Sequence, residues 1–140
     1  LFRSDMKLDS AGLEILTREE CLKLLASTPI GRIVFTDRAL PAVQPVNFCL
    51  HEGLIVIRTT ATSRLAMAAR NTIVAFEGDH FDIETRTGWS VTAVGHARGV
   101  TDPEELERLS KLPLIPWAPG VREHYIVISP EQVSGRRLVR

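Results

Sequence analysis

The chain reads as mainly β, a small antiparallel barrel, closed or nearly so, with helices at its periphery. Three observations point there. Runs with strand patterning, "GRIVFTD", "AVQPVNFCL", "LIVIRT", "TIVAFEGDHFD" and "GWSVTAVGHARGV", mostly follow one another through hairpin-length turns, so neighbours should pair antiparallel. Roughly six strands in a chain of this size leave closure as the simplest way to remove exposed sheet edges. Neither GxGxxG nor GxxxxGK[ST] occurs, which argues against a dinucleotide-binding or P-loop architecture.

Residues 1–12 are polar and aperiodic and read as a flexible N-terminal segment, leaving 13–140 as a single domain. Thr17 and Glu20 form a capping box, so a helix should begin near residue 18, with Leu22, Leu24 and Leu25 as its apolar stripe, and end by Pro29. The strand "GRIVFTD" turns at Arg38–Pro41 into "AVQPVNFCLHEG". Pro45 within that second strand implies an edge, a bulge or an unpaired backbone site. Glu52-Gly53 turns into "LIVIRT". Residues 63–70 should be helical, with Leu65, Ala68 and Ala69 on one side. "TIVAFEGDHFD" is a fourth strand. A long fifth strand has Gly95 and Gly99 as bend points. Asp102 then caps a helix whose first residue is Pro103, where the missing N–H costs little. Pro113, Pro116 and Pro119 hold an irregular segment bearing Trp117, and "YIVIS" is a sixth strand before a tail that could pair again.

The 140 residues suffice for one core without disulfides or metals. Seventeen basic residues balance seventeen acidic ones, so no global charge favours nucleic acid or an anionic membrane. Apolar runs fall short of the ~20 residues of a membrane-spanning helix, and no signal-peptide core is visible. Cys21 and Cys49 lack metal or redox spacing and read as buried thiols, in keeping with the cytoplasm. His51, His80, His96 and His124 are widely spaced, with no metal pattern. GxSxG is absent, so no serine-nucleophile elbow is expected.

Four short stretches carry chemistry. Arg58 ends a strand, Thr59, Thr60, Thr62 and Ser63 fill the turn, and Arg64 opens a helix. Hydroxyls, helix-start N–H groups and guanidinium forks are the donors a phosphate needs. The same residues equally suit a plain helix cap with solvated arginines. In "QPVNF", alternation puts Pro45 and Asn47 on one face and Gln44, Val46 and Phe48 on the other. Asn47 can hydrogen-bond a planar heterocycle, or the stretch is an ordinary edge strand. Trp89 and Ser90, at the start of the long strand, can wall and rim a flat ligand, or Trp89 is simply core. Trp117 on its proline-rich loop suits a pocket cover or a subunit contact.

Taken together and in this order, "GRIVFTDRALPAVQPVNFCL", "LIVIRTTATSRLAMAARN", "VAFEGDHFD", "GWSVTAVGHARGV" and "PWAPG…IVISPEQVSGRRL" resemble the pyridoxamine 5'-phosphate oxidase-like family, in its nitroimidazole-reductase-like and actinobacterial branch. The resemblance runs from about Leu16 to Leu138. It implies a six-stranded antiparallel split barrel of the FMN-binding type. It also implies a homodimer, with two FMN molecules in clefts at the subunit boundary, each touched by both chains. By the same resemblance Arg58, Thr59, Ser63 and Arg64, with Thr60 in the turn between them, would take the phosphate. Pro45, Val46, Asn47 and Phe48 would face the isoalloxazine ring, Ser90 with Trp89 would touch the ring or ribityl chain, and Trp117 would reach in from the partner. Leu65 stands where the oxidase has a lysine, and "SGRRLVR" is shorter than the segment that grips pyridoxal phosphate there. These departures point away from vitamin B6 oxidation and toward a flavin-dependent oxidoreductase acting on another small molecule. A deazaflavin-dependent reductase and a non-catalytic flavin or haem carrier or sensor remain as alternatives.

Overall fold

The computed structural model describes residues 6–139. In chain order its elements are β1 (Glu14–Ile15), α1 (Arg18–Ala26), β2 (Ile30–Asp37), β3 (Leu40–His51), β4 (Leu54–Thr59), α2 (Arg64–Ala68), β5 (Thr72–Asp82), β6 (Thr87–Gly99), α3 (Pro103–Ser110), β7 (His124–Ile128) and β8 (Gln132–Leu138). Six of the strands close a ring, β6-β5-β2-β3-β4-β7, with β7 returning to β6. Every pairing in it is antiparallel. The six-stranded antiparallel barrel expected from the sequence is therefore present. β8 and then β1 extend it outward from β6.

Closure depends on one strand changing partner. Along one edge β6 pairs with β8 over Gly88–Val94 and with β7 over Ala97–Gly99. Gly95 lies at the exchange, where a Cβ would stand 1.6 Å from the carbonyl oxygen of Ser129. Only a residue without a side chain lets the β7–β8 connection pass there. Glycines also admit α1: a Cβ on Gly78 would meet Leu25, and one on Gly135 would meet the sulfur of Cys21. The capping box of α1 is formed, with Thr17 accepting from the Glu20 amide at 3.2 Å and Glu20 accepting from the Thr17 amide at 3.0 Å.

β4 and β7 read as unbroken apolar runs because both of their faces are covered. Ile55 and Ile57 with Ile126 and Ile128 enter the barrel core around Phe76, Ile33 and Val91. Val56 with Tyr125 and Val127 faces the other way, into a second cluster built with Val100, Leu109 and Leu114. This outer cluster anchors α3 and the irregular segment after it against the barrel wall. Alternation then assigns the end of β4: Arg58 lies on the outer face with Val56, and Thr59, 3% exposed, on the inner.

Several details differ from the sequence reading. Residues 1–5 of the expected flexible segment lie outside the described residues. From residue 7 onward the chain is tied down, because Leu8 bridges to Glu14, Asp9 accepts from the amides of Ala11 and Leu13, and Arg136 pairs with Asp9 at 3.0 Å. The 63–70 helix is a single turn, capped by Ser63 and stopped at Ala69, because Leu65, Ala66 and Ala69 are drawn into the core. Cys21 is buried and Cys49 half-buried; both are free thiols, and burial raises both thiol pKa values. The β2–β3 hairpin turns through Arg38 and Ala39 at φ 53° and 66°, a left-handed pair that its residue types did not signal. No helix among the described residues is long and apolar enough to cross a membrane.

Candidate functional site at the β3–β4 rim

β4 pairs with β3 only over Phe48–His51, so the first part of β3 has a free edge beyond Phe48. Pro45 sits there, paired with Arg32 of β2 on the other side, which is where its missing donor is harmless. Burial along β3 alternates as expected: Val46 is half-buried, Phe48 is core and edge-on to Phe76 with ring centroids 4.7 Å apart, and Pro45 is exposed.

A cavity of about 100 Å³ opens at this free edge. Pro45, Val46 and Asn47 line it from β3, Arg58 and Thr59 from β4, and Pro116 and Arg122 from the segment between α3 and β7. That segment is fastened across the opening. Asn47 Oδ1 accepts from the Trp117 amide at 2.8 Å. Arg58 donates through Nη1 to the Leu114 carbonyl at 3.0 Å, and through Nε and Nη2 to the Arg122 carbonyl at 3.1 and 2.9 Å. Its guanidinium lies 5.4 Å from the centre of the Tyr125 ring. Three of its donors are therefore spent on backbone, and those contacts bring no negative charge. Arg122 likewise has no carboxylate partner among the described residues, and its buried Nε has no hydrogen-bond partner.

Of the remaining residues singled out from sequence, Ser63 caps α2 by accepting from the Ala66 amide at 3.0 Å and is bonded to the Thr59 hydroxyl at 3.0 Å. Arg64 does not converge with Arg58. Its side chain is 80% exposed and lies 3.6 Å from Asp37. Thr60 lines a separate hollow of about 280 Å³ with His124, whose pKa burial lowers, helped by the nearby Arg70 charge. Trp89 lines another cavity, about 410 Å³, together with His80 and Arg137. Ser90, next to it in β6, pairs in the ladder with Asp79 and Arg136. Within one chain, then, Pro45–Asn47 meet Arg58, Thr59 and the Trp117 backbone, whereas Arg64, Trp89 and Ser90 stand apart. No cluster of potential metal ligands occurs among the described residues.

Arg122 escaped the sequence reading. It is 64 residues from Arg58, on an irregular segment with no motif around it, and only the fastening of that segment brings the two together.

A family model described as pyridoxamine 5'-phosphate oxidase matches residues 17–137, from the cap of α1 to the end of β8. The chain belongs to that family. In this pyridoxamine 5'-phosphate oxidase family member, Leu65, which follows Arg64, is fully buried in the barrel core. An uncharacterised protein of Mycobacterium tuberculosis is 42% identical over 129 residues, 89% of this chain and 84% of that one. Among solved structures, an FAD binding protein from Mycobacterium smegmatis is 36% identical with a TM-score of 0.76, covering 90% of this chain and 98% of that one. An FAD-binding protein from Mesorhizobium loti is 25% identical with a TM-score of 0.75, covering 91% and 99%.

Proposed function

We propose that the protein is a homodimeric flavin-binding oxidoreductase acting on a small molecule. The observation that carries this reading is the meeting, at one cavity, of the Pro45–Asn47 edge with the Arg58–Thr59 strand end. These are the two stretches assigned from sequence to the flavin ring and its phosphate. Family membership and two solved relatives named as FAD-binding support it.

The dimer is part of the reading. Pockets for organic ligands usually enclose about 300–1,000 Å³, so the cavity of about 100 Å³ takes a small anion and not a tricyclic ring. The ring would lie along the β3 edge, with its far wall supplied by a second copy. Trp117, Ile115 and Val121 are 68, 76 and 75% exposed on one segment, apolar surface of the kind that subunit contacts cover. A bound flavin supplies the redox chemistry. In this chain Asn47 would fix the orientation of the ring, and Thr59 and the arginines would hold the anionic end.

FMN, the form assigned from sequence, and FAD share ring, ribityl chain and first phosphate. FAD is the second reading, favoured by the relatives' names. A visible spectrum of the purified protein, followed by titration with FMN, FAD and a deazaflavin, tests the cofactor. The reading predicts saturable flavin binding and a dimer mass in solution. No spectral change with any of the three would overturn it. Consumption of NAD(P)H with quinones or nitro compounds as acceptors would then separate an enzyme from a carrier.

A further inference from the structure

We infer that the hollow between the end of the β5–β6 hairpin and the end of β8 is a second ligand site, separate from the β3–β4 rim. It takes a small planar aromatic molecule bearing an acceptor oxygen, such as a carboxylate. The register of four strands builds it. His80 of β5 lies opposite Trp89 of β6, Trp89 opposite Arg137 of β8, and Arg137 opposite Glu14 of β1. Directly opposed residues of antiparallel strands project from the same face. An imidazole, an indole, a guanidinium and a carboxylate therefore form one row across the sheet. Ser90, one residue on, pairs with Asp79 and Arg136 and projects from the opposite face. Trp89 and Ser90 thus serve different surfaces, although their adjacency in sequence suggested a single ligand.

The hollow beside this row encloses about 410 Å³, and His80, Asp82, Thr87, Trp89, Arg137 and Val139 are among its lining. Pockets for organic ligands usually enclose ~300–1,000 Å³. Trp89 is 8% exposed and packs in the barrel core, so its ring is held rigid where it borders the hollow. A fixed indole is a flat apolar wall that favours another flat ring. Arg137 is anchored but mostly unspent. Its Nη1 donates to the fully buried Glu14 at 3.4 Å, the one hydrogen bond its side chain makes among the described residues. That side chain is 31% exposed and borders the hollow, so a ligand can reach it. Asp82 is committed elsewhere, since its Oδ1 accepts from the Glu84 and Thr85 amides. A guanidinium only donates, so Arg137 selects a ligand group that accepts. The site stands whether or not the flavin reading does.

The probe is 2-naphthoate, titrated into the full chain by calorimetry and by ¹H–¹⁵N NMR. Trp89 and Trp117 are the chain's two tryptophans, so Trp117→Phe assigns the indole N–H resonance of Trp89. Naphthoate should bind saturably and move the Trp89 resonance, and cyclohexanecarboxylate, which has the acceptor without the flat ring, should do neither. Arg137→Gln should weaken naphthoate binding roughly tenfold or more. Because that variant leaves the buried Glu14 unpaired, Thr87→Phe is the second test: it fills the hollow and keeps the Arg137–Glu14 pair. It should abolish naphthoate binding and leave FMN binding unchanged. No naphthoate binding, a shift at Trp117 alone, equal binding of cyclohexanecarboxylate, or undiminished binding by Thr87→Phe overturns the aromatic site. Loss of FMN binding in a folded Thr87→Phe overturns its separation from the rim. Naphthoate binding in a chain that takes no flavin supports the site and sinks only the flavin reading.

Discussion

Gly95 and Ser129 touch backbone to backbone. A Cβ at Gly95 would lie 1.6 Å from the Ser129 carbonyl oxygen, while the Ser129 amide donates to the His96 carbonyl at 2.9 Å and the Glu131 amide to the Val94 carbonyl at 3.0 Å. The chain leaves β7 and enters β8 here, so this contact is where the ring of strands closes.

Gly95→Ala should therefore damage closure itself. The methyl has no flexible side chain to push aside, and the cost should be on the order of 3 kcal/mol or more. Urea denaturation of wild type and variant measures it, and a loss under about 1 kcal/mol would mean that the crossing has room to spare.

Arg58 should act as a fastener for the segment between α3 and β7. Arg58→Ala removes three donors to the Leu114 and Arg122 carbonyls and the packing on Tyr125. A hydrogen bond from a charged donor contributes about 1.5–3 kcal/mol, and bonds sharing one side chain do not add fully. Trypsin should then cut at Lys111 or Arg122 faster in the variant. Arg58→Lys should rescue little, since an ammonium cannot reproduce the fork. Equal cleavage rates in all three proteins would show that the segment is held by Asn47 and its own packing.

Glu77 and Asp79 share one guanidinium, Arg32 Nη1, at 3.1 and 3.3 Å. The Glu77 pKa is pushed up to about 7, chiefly by burial and then by the neighbouring Asp79, against the pull of Arg32. Between its ordinary 4.5 and about 7 the folded chain holds a proton that the unfolded chain has released. Stability from this group is thus full at low pH and lost as pH rises toward 7. Glu77→Gln should gain on the wild type as pH rises from 5 to 8, read from urea midpoints at the two ends. A difference that does not change with pH would refute the raised pKa.

Ala39 sits at φ 66° in the β2–β3 turn, a conformation that costs a residue with a Cβ about 1–2 kcal/mol. Ala39→Gly relieves it at the expense of a more flexible unfolded chain, for a net gain of up to about 1 kcal/mol. A thermal midpoint unchanged or lowered in the variant would mean that the turn is not strained.

The barrel was largely legible before any coordinates, because its signals are local. The two-residue alternation of β3, the apolar runs of β4 and β7, the Thr17–Glu20 box and the Asp102–Pro103 start each arise from neighbours in the chain, and each is present. Gly95 was visible as a bend point. Why it must be glycine was not, since Ser129 comes from another strand end. β1 was missed because two residues carry no periodicity, and its pairing with β8 comes from the far end of the chain.

Local order in the chain was enough to specify strands, helix caps, family resemblance and the two stretches that meet at the β3–β4 rim. Charge balance was not local. Whether an arginine is spent on a carbonyl, paired with a carboxylate or left for an anion depends on which remote backbone folds over it. Arg64 found Asp37, Arg58 found Leu114 and Arg122, and Arg122 was left with a buried donor and no acceptor. For Arg58 and Arg122, only the packing of the segment after α3 against the outer faces of β4 and β7 decided this, because a guanidinium takes its role from what lies within a few ångströms and not from its neighbours in sequence.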